Sequence, residues 1–214
     1  LGKVFSACRK EDKLAVEQEE ETLMVQLQVV AVLSQESGDS EGAISACSEH
    51  ARLAEAAGRV DECLRSLKAL RFLLEKEGQL DEAAACERHR AEMLRDAKLD
   101  LTGAEAALER AFTLSAQLDT ARMGGELAVR RDDAAAEARW LERSLPLLPA
   151  TAERAPALLR LARLALEGVG EPVRAEDFLR EALQLDRTLT EAETLLCGLL
   201  EREGRVAELA AWFE

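Results

Sequence analysis

The chain has 214 residues, 48% of them apolar but only 3% aromatic, and its 42 acidic and 28 basic side chains give a net charge of −14. This charge argues against sequence-independent nucleic-acid binding and against attraction to anionic membranes, because both need a basic surface. Alanine (38) and leucine (37) dominate, and there is no tyrosine. The composition therefore predicts an all-α protein, not a sandwich or a barrel.

No segment is long and apolar enough to cross a bilayer, since the longest apolar run, Val29–Leu33, has five residues. The five cysteines are an odd number and widely spaced, which predicts free thiols in the core of a cytoplasmic protein. Arginine outnumbers lysine 22 to 6, a bias typical of GC-rich bacterial genomes. Leu1 in place of methionine indicates either a processed product or a piece of a longer polypeptide.

Glycines punctuate the first part of the chain at a spacing of 20, at Gly38, Gly58 and Gly78. Sixteen helical residues and a short turn fit this spacing, which predicts antiparallel helices of about 24 Å, two per 40-residue repeat. In chain order we predict helices at about 3–17, 20–36, 41–57, 61–77, 81–97, 102–118, 121–130, 133–147, 154–168, 173–186, 190–203 and 206–214.

Two joins between predicted helices have alternatives. The acidic run Glu17–Glu21 either separates the first two helices or is the solvated face of one long helix. The stretch Thr120–Asp133, which contains Gly124 and Gly125, is either two helices or one kinked helix.

The C-terminal part resembles tetratricopeptide repeats (TPR). Gly170 is followed by small, large and small residues at Ala175, Leu179 and Ala182, and Gly204 follows Gly170 after 34 residues, one repeat length. The resemblance implies one TPR-like domain over residues 1–214, a right-handed stack of about five to six helix pairs. We expect the following side chains to be buried: Leu67, Leu70, Leu74, Ala83, Leu179, Ala182, Leu196 and Leu200.

The resemblance also implies a noncatalytic scaffold that binds a protein segment in a concave groove. Its groove-facing positions lie thirteen, ten and six residues before the turns at Gly78, Gly170 and Gly204. Basic groups there would favour an acidic peptide or a C-terminal carboxylate. The alternatives are a regulatory or sensing module of a larger bacterial signalling protein, and self-assembly through the terminal helices. The predicted peptide-binding residues are Arg65, Lys68, Phe72, Arg160, Leu164 and Thr194, and the frame also places Ala157, Glu191 and Gly198 there.

No catalytic motif is visible, so we predict no enzyme and no cofactor. One pattern could bind metal: Cys47 with His50, and Cys86 with His89, are i, i+3 pairs that lie 39 residues apart. Relative to their turn glycines, however, the pairs differ by one residue, which rotates one pair by about 100° on its helix. We therefore interpret all four as packing residues and predict that the protein holds no zinc.

Overall fold

The computed structural model describes residues 2–149, 153–205 and 207–208, and it describes the side chains of these residues apart from 2–17, 20 and 168–169. Every regular element in this part of the chain is helical, which confirms the all-α class. The chain divides into two compact units, unit 1 (Leu1–Ser115) and unit 2 (Ala116–Glu214). Unit 1 contains α1 (Gly2–Ser37), α2 (Ser40–Ala56), α3 (Val60–Lys76), α4 (Leu80–Asp96) and α5 (Leu101–Leu114). Unit 2 contains α6 (Leu118–Arg130), α7 (Ala134–Ser144), α8 (Arg154–Leu164), α9 (Pro172–Leu185) and α10 (Thr190–Arg202).

The two joins with alternatives have different outcomes. The first two predicted helices form one helix, α1, because neither glycine nor proline interrupts residues 3–37 and the acidic run favours helix. Residues 120–130 belong to a single helix, α6, which includes Gly124 and Gly125, and a turn separates α6 from α7, which begins at Ala134. The two predicted helices are therefore separate, with the break after Arg130. The predicted helix 206–214 falls largely outside the described residues. None of the described helices has the length and apolar character needed to cross a membrane.

Consecutive helices pack against each other within each unit, as short turns require. In unit 1 the turns after α1, α2 and α3 are alike: Gly38, Gly58 and Gly78 have φ of 78°, 69° and 76°. Only glycine adopts this left-handed conformation without strain. In each turn the N–H after the glycine closes the helix end: Asp39 to the Ser34 carbonyl at 2.8 Å, Arg59 to Ala54 at 2.7 Å, and Gln79 to Leu74 at 2.9 Å.

The core of unit 1 consists of small residues from α2 and α4 packed against leucines of α3. Small side chains on two helices allow all three to approach closely, while the α3 leucines supply most of the buried apolar volume. The α2 and α4 contributions include Ala43, Cys47, Ala83 and Cys86; the α3 leucines are Leu67, Leu70, Leu73 and Leu74.

A fully buried carboxylate lies in the middle of unit 1. Glu87 of α4 has no exposed surface, and three guanidinium groups surround it: Arg90 at 2.7 Å, Arg71 at 3.1 Å and Arg110 at 3.4 Å. These arginines belong to α4, α3 and α5. Because charged side chains are buried only when they are paired, the cluster joins three helices at one point.

In unit 2, α6 and α7 interlock through an aromatic ring on a glycine. Trp140 of α7 is 1% exposed, and a Cβ atom at Gly124 would lie 2.3 Å from its indole ring. Gly124 is therefore fixed by packing and not by a turn. The Arg143 guanidinium lies 4.7 Å from the ring centroid on the same helix, a cation–π contact.

The helices α8, α9 and α10 share a core of leucines and alanines. Leu179, Ala182, Leu196 and Leu200 are buried there, and Leu67, Leu70, Leu74 and Ala83 are buried in unit 1. All eight predicted core residues are therefore confirmed. The helix α8 continues into a π-helical turn, Ala165–Val169, which ends at Gly170 with φ of 70°.

Candidate functional site

A cleft of about 350 Å³ lies in unit 1 where α1, α2 and α3 meet. Alanines from all three helices leave this space open, and polar side chains form its rim. Such a cleft suits an apolar side chain of a ligand that also makes polar contacts at the edge. The lining residues from α1 include Gln28, Ala31 and Val32; those from α2 include Ala46 and His50; those from α3 include Arg65, Ser66 and Ala69.

His50, one of these lining residues, is 2% exposed and fully hydrogen-bonded. The Ser66 hydroxyl donates to the Glu62 carbonyl at 3.1 Å, so it accepts the Nδ1–H of His50 at 2.7 Å. This leaves Nε2 as an acceptor for the Gln28 amide at 2.9 Å. Burial lowers the pKa of His50, because the charged ring would lose its solvation. The neutral ring thus ties α2 to α1 and α3 beneath the cleft.

The predicted contact residues of α3 form an exposed stripe beside this cleft. Arg65 lines the cleft, and its Nε donates to the Asp61 carbonyl of the same helix at 3.3 Å. Lys68 is exposed. Phe72 follows the cleft residue Ala69 by three positions, and 61% of its surface is exposed. The three side chains recur at i, i+3 and i+7, so they share one face of α3.

The predicted residues of unit 2 are placed differently. Arg160 forms a two-pronged ion pair with Glu137, at 2.7 and 2.9 Å, so its guanidinium already has a partner. Leu164 is 7% exposed, so the prediction that it faces a binding surface is wrong. Thr194 is exposed, and its hydroxyl donates to the Thr190 carbonyl at 2.8 Å. The π-helical turn after α8 explains the error, because it breaks the spacing by which faces were counted back from Gly170.

The other positions of the same frame are Ala157, Glu191 and Gly198. Glu191 is exposed, whereas Ala157 and Gly198 are half-buried. Unit 2 also has a cleft of its own, about 530 Å³ between α6 and α7, which contains none of the predicted residues. Gly125, Val129 and Leu141 contribute to its walls.

The cysteine and histidine pairs do not converge on a metal site. His50 is bonded as described above, and the His89 Nε2 lies 3.0 Å from a carboxylate oxygen of Glu55. Within the described ranges, no group of three histidine, cysteine or acidic residues could hold a metal ion. Burial raises the pKa of the Cys47 thiol, and raises that of Cys63 and of Cys86 to about 11. These thiols therefore pack as small apolar groups.

The α1 residues of the cleft were not predicted from the sequence. The predicted contact positions were all counted back from Gly78, Gly170 and Gly204, and none of those positions lies on α1. The signal was the apolar run Val29–Leu33, which is unusual in a chain with 33% charged residues. Ala31 of this run is buried and Val32 lines the cleft, while several neighbours are exposed.

No model of a known protein family matches this sequence, and no curated protein matches it. Several solved structures are similar to this chain. A putative kinesin light chain of Podosopora anserina with nearly identical TPR-like repeats is 16% identical, with a TM-score of 0.45, over 81% of this chain and 90% of that chain. The MamA protein is 16% identical, with a TM-score of 0.43, over 82% of this chain and 89% of that chain.

The PilF protein of Pseudomonas aeruginosa is 15% identical, with a TM-score of 0.40, over 81% of this chain and 75% of that chain. The TPR-like helical repeat predicted from the sequence agrees with the TPR-like repeats of the kinesin light chain structure. At such identities the likeness concerns the fold alone and carries no information about partners or contact residues.

Proposed function

We propose that this chain is a noncatalytic scaffold that binds a segment of another protein along the unit 1 cleft, with Arg65, Lys68 and Phe72 as its main contacts. The exposure of Phe72 carries the proposal. Aromatic side chains are scarce in this sequence, and among the described side chains Phe72 is the aromatic with a mostly exposed surface. Exposed aromatic and arginine side chains next to a cleft are typical anchors of protein interfaces.

The partner segment should combine an apolar side chain with acidic groups. The apolar side chain would enter the cleft between Val32 and Ala69, and a carboxylate would pair with Arg65, which lines the cleft together with Glu62, or with Lys68 on the same exposed face of α3. In a chain of net charge −14, these two cations would also orient an acidic segment. On unit 2, Thr194 and Arg160 remain proposed contacts with a partner, independently of the unit 1 cleft, and Arg160 would have to exchange its bond to Glu137 for one to that partner.

A displayed library of random 12-residue peptides tests the proposal, because such a library can be screened before any partner has been identified. We expect the unmodified protein to enrich peptides with an acidic residue near a large apolar one. Phe72→Ala should weaken the enriched peptides by about tenfold or more, which corresponds to the loss of a central anchor. Arg65→Glu should weaken them less, and more at low salt than at high salt, because rim charges are screened.

Arg187→Glu is the matched control, since it makes the same charge change at an exposed site of unit 2. It should leave binding of the enriched peptides unchanged. Circular dichroism should show equal helicity in all variants, because Phe72 and Arg65 are exposed. Enriched peptides that bind Phe72→Ala and Arg65→Glu as tightly as the unmodified protein would place the interaction elsewhere and refute the proposal.

A further inference from the structure

Between residues 22 and 35 the exposed side of α1 is rich in aliphatic residues, unlike that of an ordinary surface helix. Six large aliphatic side chains between residues 23 and 33 are 41–58% exposed, although Met24 and Ala31 already pack into the core of unit 1. A surface helix normally has a polar face opposite its buried one, and a helix that is apolar all round is normally covered. We call these exposed residues the α1 face: Leu23, Val25, Val29, Val30, Val32 and Leu33.

The spacing on the α1 face indicates what shape covers it. Five exposed positions of α1 follow one another in alternating steps of three and four, and valines of the α1 face occupy the three central positions, which is the pattern of a seam between two helices. A strand or an irregular loop would not match this spacing along a helix. The seam positions are Thr22, Val25, Val29, Val32 and Glu36, and all of them are exposed.

The charges around the α1 face indicate the chemistry of that helix. Residues 22–35 contain no charged side chain, although 33% of the whole chain is charged. Acidic residues stand at both ends: Glu19 and Glu21 before the stretch and Glu36 after it, all exposed. Glu21 is weakly compensated, since Arg59 lies 3.8 Å away.

We propose that the α1 face binds an amphipathic helix of a partner protein whose apolar stripe is flanked by basic residues. Basic ends would meet acidic groups at both ends of the seam, in either direction of the helix. A second copy of this chain fits less well. An antiparallel pair centred on Val29 would bring Glu36 of each copy close to Glu21 of the other, and a parallel pair would oppose identical acidic residues.

The α1 face is separate from the Phe72 stripe, so the two proposals can fail independently. Val32 is the one residue of the α1 face that also lines the cleft beside the Phe72 stripe. The seam variant, Val25→Ser with Val29→Ser and Leu33→Ser, therefore removes two seam valines and an adjacent leucine of the α1 face without altering a cleft residue. Its matched control is Val129→Ser, Val173→Ser, Leu99→Ser, which changes the same residue types at exposed sites off α1.

The experiment uses a displayed library of 21-residue amphipathic helices with a fixed Leu/Val stripe and with end positions randomised among Lys, Glu and Gln. We expect lysine to be enriched at both ends. The enriched peptide should bind the seam variant at least about tenfold more weakly than the unmodified protein, and the control variant and Phe72→Ala as tightly. Its affinity should fall as salt rises.

Three results would overturn this proposal. Enrichment of glutamate or glutamine ends, or no enrichment, would contradict the basic partner. Equal binding to the seam variant would place the helix elsewhere. Sedimentation of the unmodified protein as a dimer that the seam variant abolishes would assign the α1 face to a second copy of the chain.

Discussion

Units 1 and 2 solve the same packing problem with different residues. In unit 1 the helices α2, α3 and α4 each have 17 residues, and their close contacts depend on alanine and cysteine. In unit 2 the helices have 11–14 residues, and a tryptophan occupies a place cleared by a glycine. Unit 1, whose helices α2–α4 have equal lengths, thus packs with small core residues that can replace one another. Unit 2, whose helices differ in length, contains one large core residue that fits only at Gly124.

This difference has an energetic consequence for each unit. Many small contacts distribute the stability of unit 1 over several helices, and its one concentrated interaction is electrostatic, at Glu87. The α6–α7 pair instead depends on Trp140. Substitution of Glu87 should therefore destabilise unit 1 through the loss of ion pairs, and substitution of Trp140 should destabilise unit 2 through the loss of packing.

Trp140→Ala should have the largest effect, a loss of about 5 kcal/mol in the free energy of unfolding, because the buried indole leaves a cavity opposite Gly124. Urea denaturation followed by circular dichroism measures the loss. Hydrogen exchange should show faster exchange in α6 and α7 before any change in α2–α4. Gly124→Ala should also destabilise this pair, since the added methyl group would collide with the ring. Protection that falls equally in both units would contradict the proposed dependence on one residue.

Glu87→Gln should cost about 3 kcal/mol, because a neutral amide of the same shape leaves three guanidinium groups without their shared carboxylate. The loss should appear as a lower urea midpoint, with hydrogen exchange increased in α3, α4 and α5. Glu92→Gln is the control, as it makes the same change on α4 at a residue with some exposed surface. If Glu87→Gln is as stable as that control, the arginine cluster does not hold unit 1 together.

The smallest effects concern two turns, one in each unit, that have left-handed backbone at different residue types. Gly78→Ala should cost about 1 kcal/mol, because its Cβ would meet no neighbour but φ of 76° strains any residue other than glycine. In unit 2 the turn after α6 uses Asp132, with φ of 53°. Asp132→Gly should therefore stabilise by up to about 1 kcal/mol. Thermal denaturation of the two variants should shift in opposite directions; shifts of the same sign would contradict this account.

Most of the fold could be predicted from the sequence because it depends on local signals. Left-handed glycines at a spacing of 20 mark the ends of α1, α2 and α3, and the leucine stripe of α3 marks its buried side. The join within α1 could not be decided, since an acidic run is compatible with both a helix interior and a break. The helices α6 and α7 were predicted as two, but the role of Gly124 depends on a ring sixteen residues away in sequence.

The site was less predictable, because it depends on which faces of separate helices meet. Arg65, Lys68 and Phe72 are exposed as expected. Because α3 ends in a regular turn at Gly78, positions counted back from this glycine fall on the expected face of the helix. The predicted exposure of Leu164 is wrong, because a π-helical turn between this residue and Gly170 changes the face on which Leu164 lies. Nothing in the sequence distinguishes Glu87 and Glu137 from the other carboxylates, and only their arginine partners on neighbouring helices explain why they are buried.

The repeated glycine turns of unit 1 also limit how such a chain can change length during evolution. Each turn reverses the chain direction after 20 residues with the same backbone bonds. A duplication of one 20-residue segment would keep every turn intact, yet it would invert the direction of all the helices that follow and exchange their outward and inward faces. Duplication of 40 residues restores the direction. Genetic gain or loss of helices is therefore compatible with a preserved binding surface only in even numbers.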